Sequence, residues 1–441
     1  MSCIKGCVSP AFWNSAKSSR MTASYDFSHY VLLTSVFEIK RTGFNDAVGA
    51  IHCMLEETIE RWSTWSCARA SRCYSSAAPI ADRTEKRESK EMPTVRADRL
   101  KKIGVALLRA AGASSEEAEA VAGGCVEANL VGHDSHGIVA VPTYIDRIKA
   151  GHIVPGAPFT IVQESPTTTV IDGHWGFGFH VNRKAMQLTI EKAQKSNVAA
   201  VTVFRQSHVG RLGAYPLMAA AQGMIGIATA DSGRSAKAVA PFGGREARLG
   251  TNPIAVAIPS DLDGPFCLDM ATSAVAAGKI NLAIARGKEI PTGWIVDKDG
   301  RETTDPTQLR KGGALLPVGG TEGYKGSGLA AVVEVLCGLL TGLGFGVEPS
   351  GRHNDGCFMA VFNVAAFRPL AEFKKGVADF ARYLKATPPA AGSPGVFYPG
   401  EVEHMRAQER AKSGIDVEDS TWNKLAALAA EYGLAAELEL K

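Results

Sequence analysis

The chain has 441 residues, is 45% hydrophobic and 21% charged, and carries a formal net charge of +3. That length holds two or three domains, or one large domain with appendages. A balance so close to neutral excludes nucleic acid or an anionic membrane surface as the main partner. Of the nine cysteines, Cys3, Cys7, Cys53, Cys67 and Cys73 precede residue 75, while Cys125, Cys267, Cys337 and Cys357 stand singly in apolar surroundings. No pair has zinc spacing and the body has no disulfide framework, so free thiols in a reducing compartment are expected. The most apolar run, residues 329–347, contains Glu334 and several glycines. It reads as a buried helix followed by a loop and not as a membrane span.

Residues 1–92 differ from the rest. They include Trp13, Trp62 and Trp65, are rich in Ser, Arg and Cys, and lack sustained periodicity. Near their end stands Arg69-Ala70-Ser71-Arg72-Cys73-Tyr74-Ser75-Ser76-Ala77. A basic, Ser-rich leader suits a mitochondrial presequence, and Arg72-Cys73-Tyr74 before Ser75 resembles a matrix-protease site. Glu56, Glu57 and Glu60 lie upstream and argue against this reading. The alternatives are a disordered extension of a cytoplasmic protein, or a true start at Met54.

The folded body begins near Pro93. Leu100, Ile103, Leu107, Leu108 and Ala111 recur at helical spacing, and Gly112 ends that helix. Ser114 and Glu117 form a capping-box pattern that opens a second helix with Ala118, Val121, Ala122 and Cys125 on one face. A third helix, with Tyr144, Ile145 and Ile148 inward, stops at Gly151.

Between the second and third helices lies Gly132-His133-Asp134-Ser135-His136-Gly137. A helix junction needs little beyond Gly, Asn or Asp. Two imidazoles, a carboxylate and a hydroxyl exceed that need, and histidine suits proton transfer near neutral pH. The plainer alternative is a helix N-cap by Asp134 or Ser135.

Further on, strands are expected at 168–171 (turned by Asp172-Gly173), 198–204, 224–230, 254–258, 266–268 and 358–362. Helices are expected at 181–195, 212–222, 329 onward, 371–385, 401–412 and 420–432, and one opened by residues 269–273 and running to about 285. Strand, polar loop, helix, strand is the rhythm of an α/β sheet covered by helices, which places reactive groups at strand ends. Gln206-Ser207-His208-Val209-Gly210-Arg211 and Asp231-Ser232-Gly233-Arg234 are such strand-end loops. A dinucleotide fingerprint after a strand is absent; Gly173, Gly176 and Gly178 have the wrong spacing. Lys325 among glycines suits either a phosphate contact or a tight turn. No nucleophile elbow and no local metal motif is present.

Five motifs in order and spacing carry a resemblance: Gly132–Gly137, Ser207-His208-Val209-Gly210-Arg211, Leu249-Gly250-Thr251-Asn252-Pro253, Leu268-Asp269-Met270-Ala271-Thr272-Ser273 and Lys325-Gly326. Over roughly residues 95–435 the chain resembles the type-2 malate/L-lactate dehydrogenase family, and in its first two loops the bacterial hydroxycarboxylate dehydrogenase branch. The resemblance implies an α/β fold with a non-Rossmann mixed sheet flanked by helices and helical N- and C-terminal parts. It implies a homodimer with a cofactor-binding part at 166–344 and a helical, dimer-forming part at 93–165 and 345–441.

It also implies an oxidoreductase using NAD or NADP to interconvert 2-hydroxycarboxylates and 2-oxo acids. His136, His208 and Ser135 are implied at the reacting centre. Gly210, Arg211, Leu212, Cys267, Leu268, Asp269, Met270, Ala271, Lys325 and Gly326 are implied at the cofactor, and no metal. Many members carry an Arg four residues after the histidine of the first loop, where this chain has Ala140. Arg211 and Arg234 are the remaining candidates for the substrate carboxylate. The apolar Val139-Ala140-Val141 suggests room for a larger side chain, such as an aryl 2-oxo acid. A reductase of cyclic imine 2-carboxylates and a cofactor-binding protein without turnover are the rival readings.

Overall fold

The computed structural model describes residues 92–440, apart from 232, 233, 235, 349, 351, 353 and 354. The expected leader, its cleavage motif, the alternative start at Met54 and the first five cysteines lie outside these residues.

Two cores organise the body. The first is helical and joins the two ends of the described chain. Thr94–Val95 (β1) pairs antiparallel with Ile415–Asp416 (β11). Beside this ribbon pack Ala97–Ala110 (α1), Ser115–Leu130 (α2), Val141–Lys149 (α3) and Asp419–Glu431 (α10). The helical spacing predicted for Leu100, Ile103, Leu107 and Leu108 holds, and all four are fully buried. The capping box at Ser114 also holds. Glu117 N–H donates to Ser114 Oγ at 3.2 Å and Ser114 N–H donates to Glu117 Oε2 at 2.9 Å. The second oxygen of Glu117 accepts the Gly156 N–H at 2.9 Å, so one buried carboxylate ties α2 to the turn after α3.

The second core lies on a seven-stranded sheet: Thr160–Glu164 (β2), Thr168–Gly176 (β3), Val198–Gln206 (β4), Met224–Ala230 (β5), Ile254–Ile258 (β6), Phe266–Met270 (β7) and Cys357–Asn363 (β10). The order is β2-β3-β4-β10-β5-β6-β7. β3 and β4 are parallel and joined by Gly178–Ser196 (α4); every other pairing is antiparallel. A mixed sheet with a single parallel pair is no Rossmann domain, which accounts for the missing fingerprint.

Several expectations are corrected. The strand predicted at 168–171 does not turn at Asp172-Gly173 but runs to Gly176, with a register break between Asp172 and Gly176. Asp172 Oδ1 accepts the His174 N–H at 2.9 Å, and His174 and Trp175 take positive φ of 45° and 67°, so the chain bulges and continues. Edge strand β2 was not foreseen. Residues 269–273 do not open a helix: Asp269 and Met270 finish β7, and the next helix is Ala277–Ala285 (α6). The predicted helix at 212–222 is shorter, Ala214–Ala220 (α5). Residues 287–320 are mainly loop, interrupted by a ribbon of Ile295–Val296 (β8) and Ala314–Leu315 (β9).

The helix expected from 329 onward begins earlier, at Tyr324, so Lys325 and Gly326 lie in its first turn; Tyr324–Glu334 (α7) widens into a π turn over Val335–Leu339. Leu370–Lys385 (α8) and Glu401–Ser413 (α9) follow. Among the described residues no helix is long and apolar enough to cross a membrane.

Removing the Glu117 carboxylate deletes half the capping box and orphans the Gly156 N–H. Glu117→Ala is therefore expected to cost about 2–3 kcal/mol in urea unfolding, against about 1 kcal/mol for Ser114→Ala.

Candidate active site

The loop 132–137 is built by its neighbours. Its two capping candidates do not cap a helix. Asp134 begins a single 3-10 turn, and its carboxylate accepts from Asn129 Nδ2 at 2.7 Å and from both Arg410 Nη atoms at 2.7 and 3.1 Å. Asn129 Oδ1 takes the Ile138 N–H at 2.8 Å. A two-pronged guanidinium–carboxylate contact is geometrically exacting, so α9 holds the loop from outside while Asn129 holds it from α2. Further along α9, Glu403 lies 3.8 Å from His133, and that contact holds its carboxyl below the usual range.

The second loop leaves the end of β4. Ser207 Oγ accepts the Gly178 N–H at 3.1 Å, and Gln206 Oε1 accepts from Asn182 Nδ2 at 2.7 Å. Gly210 has φ +70°, and a Cβ there would fall 2.1 Å from the Phe179 ring, so only glycine lets this loop lie down on Phe179.

These supports bring together two histidines that are far apart in sequence. The His136 and His208 rings stack with centroids 5.5 Å apart and planes inclined by 24°. Ser135 Oγ lies 3.0 Å from His136 Nδ1. Tyr144 Oη lies 2.7 Å from His208 Nδ1, to which the Gly210 N–H also donates at 3.3 Å. Both histidines are thus engaged at Nδ1. Burial, with the charge of His133 adding to it, lowers the His136 pKa, although Asp269 and Asp355 act the other way; the ring is neutral at pH 7. Burial also pushes the Tyr144 phenol well above its ordinary value, so it remains a hydroxyl. Tyr144 was expected only as a core residue of α3. An aromatic at helical spacing gives no sign that its oxygen meets a histidine from another core.

The segments expected at the cofactor form one connected strip beside this pair. Arg211 is buried, and its Nε lies 3.3 Å from Asp269 Oδ2, which also accepts the Gly213 N–H at 2.8 Å. Gly210, Arg211 and Leu212 are thereby tied to Asp269 and Met270 at the end of β7. Cys267 turns into the core, where burial pushes its thiol up to about 12, while Leu268 faces outward and Ala271 is half-buried. Thr272 O accepts the Val318 N–H at 2.9 Å. A Cβ on Gly326 would lie 2.1 Å from Val318 O, so the start of α7 rests directly on Val318. Lys325 is exposed there, 3.3 Å from Glu322.

The strip fits a nicotinamide dinucleotide: the exposed Lys325 at the start of α7 suits phosphate, and the glycine-bearing backbone at Gly210 and Gly326 belongs to the same strip. Among the described residues no cluster of three His, Cys, Asp or Glu could hold a metal.

Neither arginine offered for the substrate carboxylate stands uncommitted. Arg211 is committed to Asp269, and Arg234 Nη1 lies 3.2 Å from Glu348.

Two imidazoles thus meet at the end of β4, beside a strip suited to a dinucleotide, and comparison with known proteins gives the class. The malate/L-lactate dehydrogenase family model matches residues 95–426, and the chain belongs to that family. It is 38% identical over 343 residues to an L-sulfolactate dehydrogenase of Methanocaldococcus jannaschii, covering 76% of this chain and 96% of that protein. It is 33% identical to hydroxycarboxylate dehydrogenase B of Escherichia coli O157:H7, covering 75% and 92%. The crystal structure of malate dehydrogenase from Entamoeba histolytica superimposes with a TM-score of 0.75 at 36% identity, covering 78% and 99%. The family uses a nicotinamide cofactor, as the resemblance implied.

Two expectations follow. Tyr144→Phe keeps the packing of α3 and removes only the oxygen on His208. It should lower kcat about tenfold with little change in the unfolding midpoint, checked by steady-state kinetics and thermal melts. Burial, with the charge of Asp355, raises the pKa of Asp231 to about 7. A raised folded pKa gives stability that is complete below the unfolded value near 3.8 and is lost as pH rises through about 7. Melting temperature should therefore fall between about pH 4 and 7 and level off above that, and Asp231→Asn should flatten the fall.

Proposed function

We propose that the chain interconverts 2-hydroxycarboxylates and 2-oxo acids with NAD or NADP, using the His136–His208 pair as its proton-transfer group. The observation that carries this is the stacked pair itself, each ring engaged at Nδ1 and so oriented to present Nε2 to a substrate. The nicotinamide, when bound beside the pair, would supply the chemistry of hydride transfer at C2. In oxidation the hydroxyl proton passes to an imidazole nitrogen, which the low pKa of His136 keeps unprotonated and available at neutral pH. In reduction the protonated pair returns that proton to the carbonyl oxygen. Ser135 and Tyr144 hold the rings in place. Gly210, Arg211, Leu212, the 267–271 segment and Lys325-Gly326 hold the cofactor.

The substrate pocket is set partly by Ala140. An alanine where many members of the family carry an arginine, between Val139 and Val141, suits a bulky, aryl-type oxo acid. Residues 166–344 are assigned to the cofactor and 93–165 with 345–441 to dimer formation, β10 returning to the sheet from the latter. Phe367, Phe380 and Tyr383, 71%, 50% and 75% exposed around α8, support a second copy of the chain as their cover.

The test follows NADH and NADPH oxidation at 340 nm with a panel of 2-oxo acids, beside His136→Ala and His208→Ala. Turnover in the parent and a loss of about 100-fold or more in each folded variant is the expected result, and it names the cofactor. Reduction of a cyclic imine 2-carboxylate without turnover of any oxo acid overturns the substrate class. Cofactor binding with no turnover of either overturns the enzyme.

A further inference from the structure

Segment 249–253, just ahead of β6, contributes no group to the histidine pair or to the cofactor strip. Yet Asn252 within it is fully buried and takes a positive φ of 35°. A non-glycine residue held there costs free energy, and it persists where its surroundings fix it from several sides.

Those surroundings are on two elements. Asn252 Nδ2 donates to Glu334 Oε2 and to Ala330 O, both at 2.9 Å, so the side chain is bound to α7. The Asn252 carbonyl accepts the Thr272 hydroxyl at 3.1 Å. The Thr251 carbonyl accepts the same hydroxyl at 3.0 Å and the Thr272 N–H at 2.9 Å. Thr272 follows directly on the 267–271 segment of the strip. Asn252 therefore stands between the two parts of the strip, with α7 and its Lys325 and Gly326 on one side and 267–272 on the other.

Thr272 reaches α7 by a second route. Its carbonyl accepts the Val318 N–H at 2.9 Å, and the Val318 carbonyl lies against Gly326. Gly326 and Glu334 are about two turns, or about 12 Å, apart along the helix. A helix held at one point can swing, and one held at two cannot. The contact at Asn252 thus decides the angle that α7 makes with 267–272.

Glu334 is kept as an acceptor by Lys237, whose Nζ donates to its other oxygen at 2.8 Å. The Lys237 and Glu334 side chains are only 3% and 11% exposed. Stability is a weak reason for a buried ion pair, since apolar residues of similar volume often serve as well or better.

We propose that Asn252 is a positioning residue for the cofactor: with Glu334 as its acceptor and Lys237 as the counter-ion of that carboxylate, it sets Lys325 and Gly326 against the 267–272 segment at the separation a dinucleotide spans. The inference rests on the reading of the strip as the cofactor site, so its test includes a readout that needs no cofactor.

Two full-length double variants are compared, both without the buried charges: Lys237→Met with Glu334→Gln, and Lys237→Met with Glu334→Leu. Glutamine keeps an oxygen that can accept from Asn252 Nδ2, and leucine does not. Asn252→Gly is set beside the parent as a second comparison, because glycine accepts the positive φ without strain and removes only the side chain. The dissociation constants of NADH and NADPH, read from nicotinamide fluorescence, should be about tenfold higher in the leucine variant than in the glutamine variant. They should rise about tenfold from the parent to Asn252→Gly, as expected for loss of one buried hydrogen bond. In turnover the change should appear in the KM for the cofactor, with kcat at saturation altered less than about twofold. Without cofactor, hydrogen–deuterium exchange in the peptide containing Thr272 should be faster in the leucine variant than in the glutamine variant, and faster in Asn252→Gly than in the parent.

Equal cofactor affinity within these comparisons overturns the proposal, and so does equal exchange at Thr272. A lower melting temperature with affinity unchanged assigns the network to stability and overturns it as well. A parent that binds neither NADH nor NADPH sinks the cofactor reading of the strip, while the exchange still decides whether Asn252 holds α7 to 267–272.

Discussion

The contact between Tyr144 and His208 is the point on which the site depends. Tyr144 belongs to the helical core and His208 to the loop at the end of β4, on the sheet core. Each core is well packed by itself, and packing alone does not specify how two cores meet to within a few tenths of an ångström. A 2.7 Å hydrogen bond with a buried hydroxyl does specify it. Phe179 works at the same seam, with its ring edge-on to Tyr144 at 5.9 Å and its tip against Gly210. The stacking of His136 on His208 is a consequence. His136 comes from the loop between α2 and α3, and it meets the second ring only because the seam is closed.

The local features of this architecture were legible in the sequence because their causes are local. The apolar spacing of α1, the Ser114–Glu117 box and the β-rich run of β4 each act within a few residues, and the structure has them where they were expected. The failures share a cause as well. Asp172-Gly173 looks like a turn, yet the Asp172 side chain is held by Arg205, another residue with positive φ, at the end of the neighbouring strand, so the chain bulges and goes on. Strand β10 was visible as a strand, but its place between β4 and β5 follows from tertiary pairing that no sequence window contains. The site divides the same way. His136, His208 and Arg211 stood out by residue type in polar loops. Tyr144 and Arg410 did not, since each is an ordinary residue of its own segment and gains its place in the site from a partner elsewhere.

The charges around the paired histidines follow one pattern. Arg211 is balanced by Asp269, His133 by Glu403, and Asp134 by Arg410. Charges paired at such range exert little field beyond their own contact, so the centre is electrostatically quieter than its composition suggests. Burial then decides the resting state of His136, which is neutral. A neutral imidazole gains most from nearby negative charge at the moment it takes up a proton, which is the condition for an interaction to assist a reaction and not merely the binding of substrate.

The substitution at Ala140 fits within the same scheme. An arginine four residues after His136 would place a further cation near rings whose protonation is already opposed by burial and by His133. It would need its own counter-ion when no substrate is bound. Alanine removes that demand and leaves the first loop free to pack Ile138 and Val141 into the helical core, where both are buried. On the proposed reading the cost falls on substrate binding, which would draw on apolar contact for what a guanidinium would supply. Burying apolar surface contributes about 25 cal/mol per Å2. On the proposed reading, a substrate with a large side chain would recover more of that loss than a small one such as lactate, so the exchange that weakens carboxylate recognition would also favour bulk.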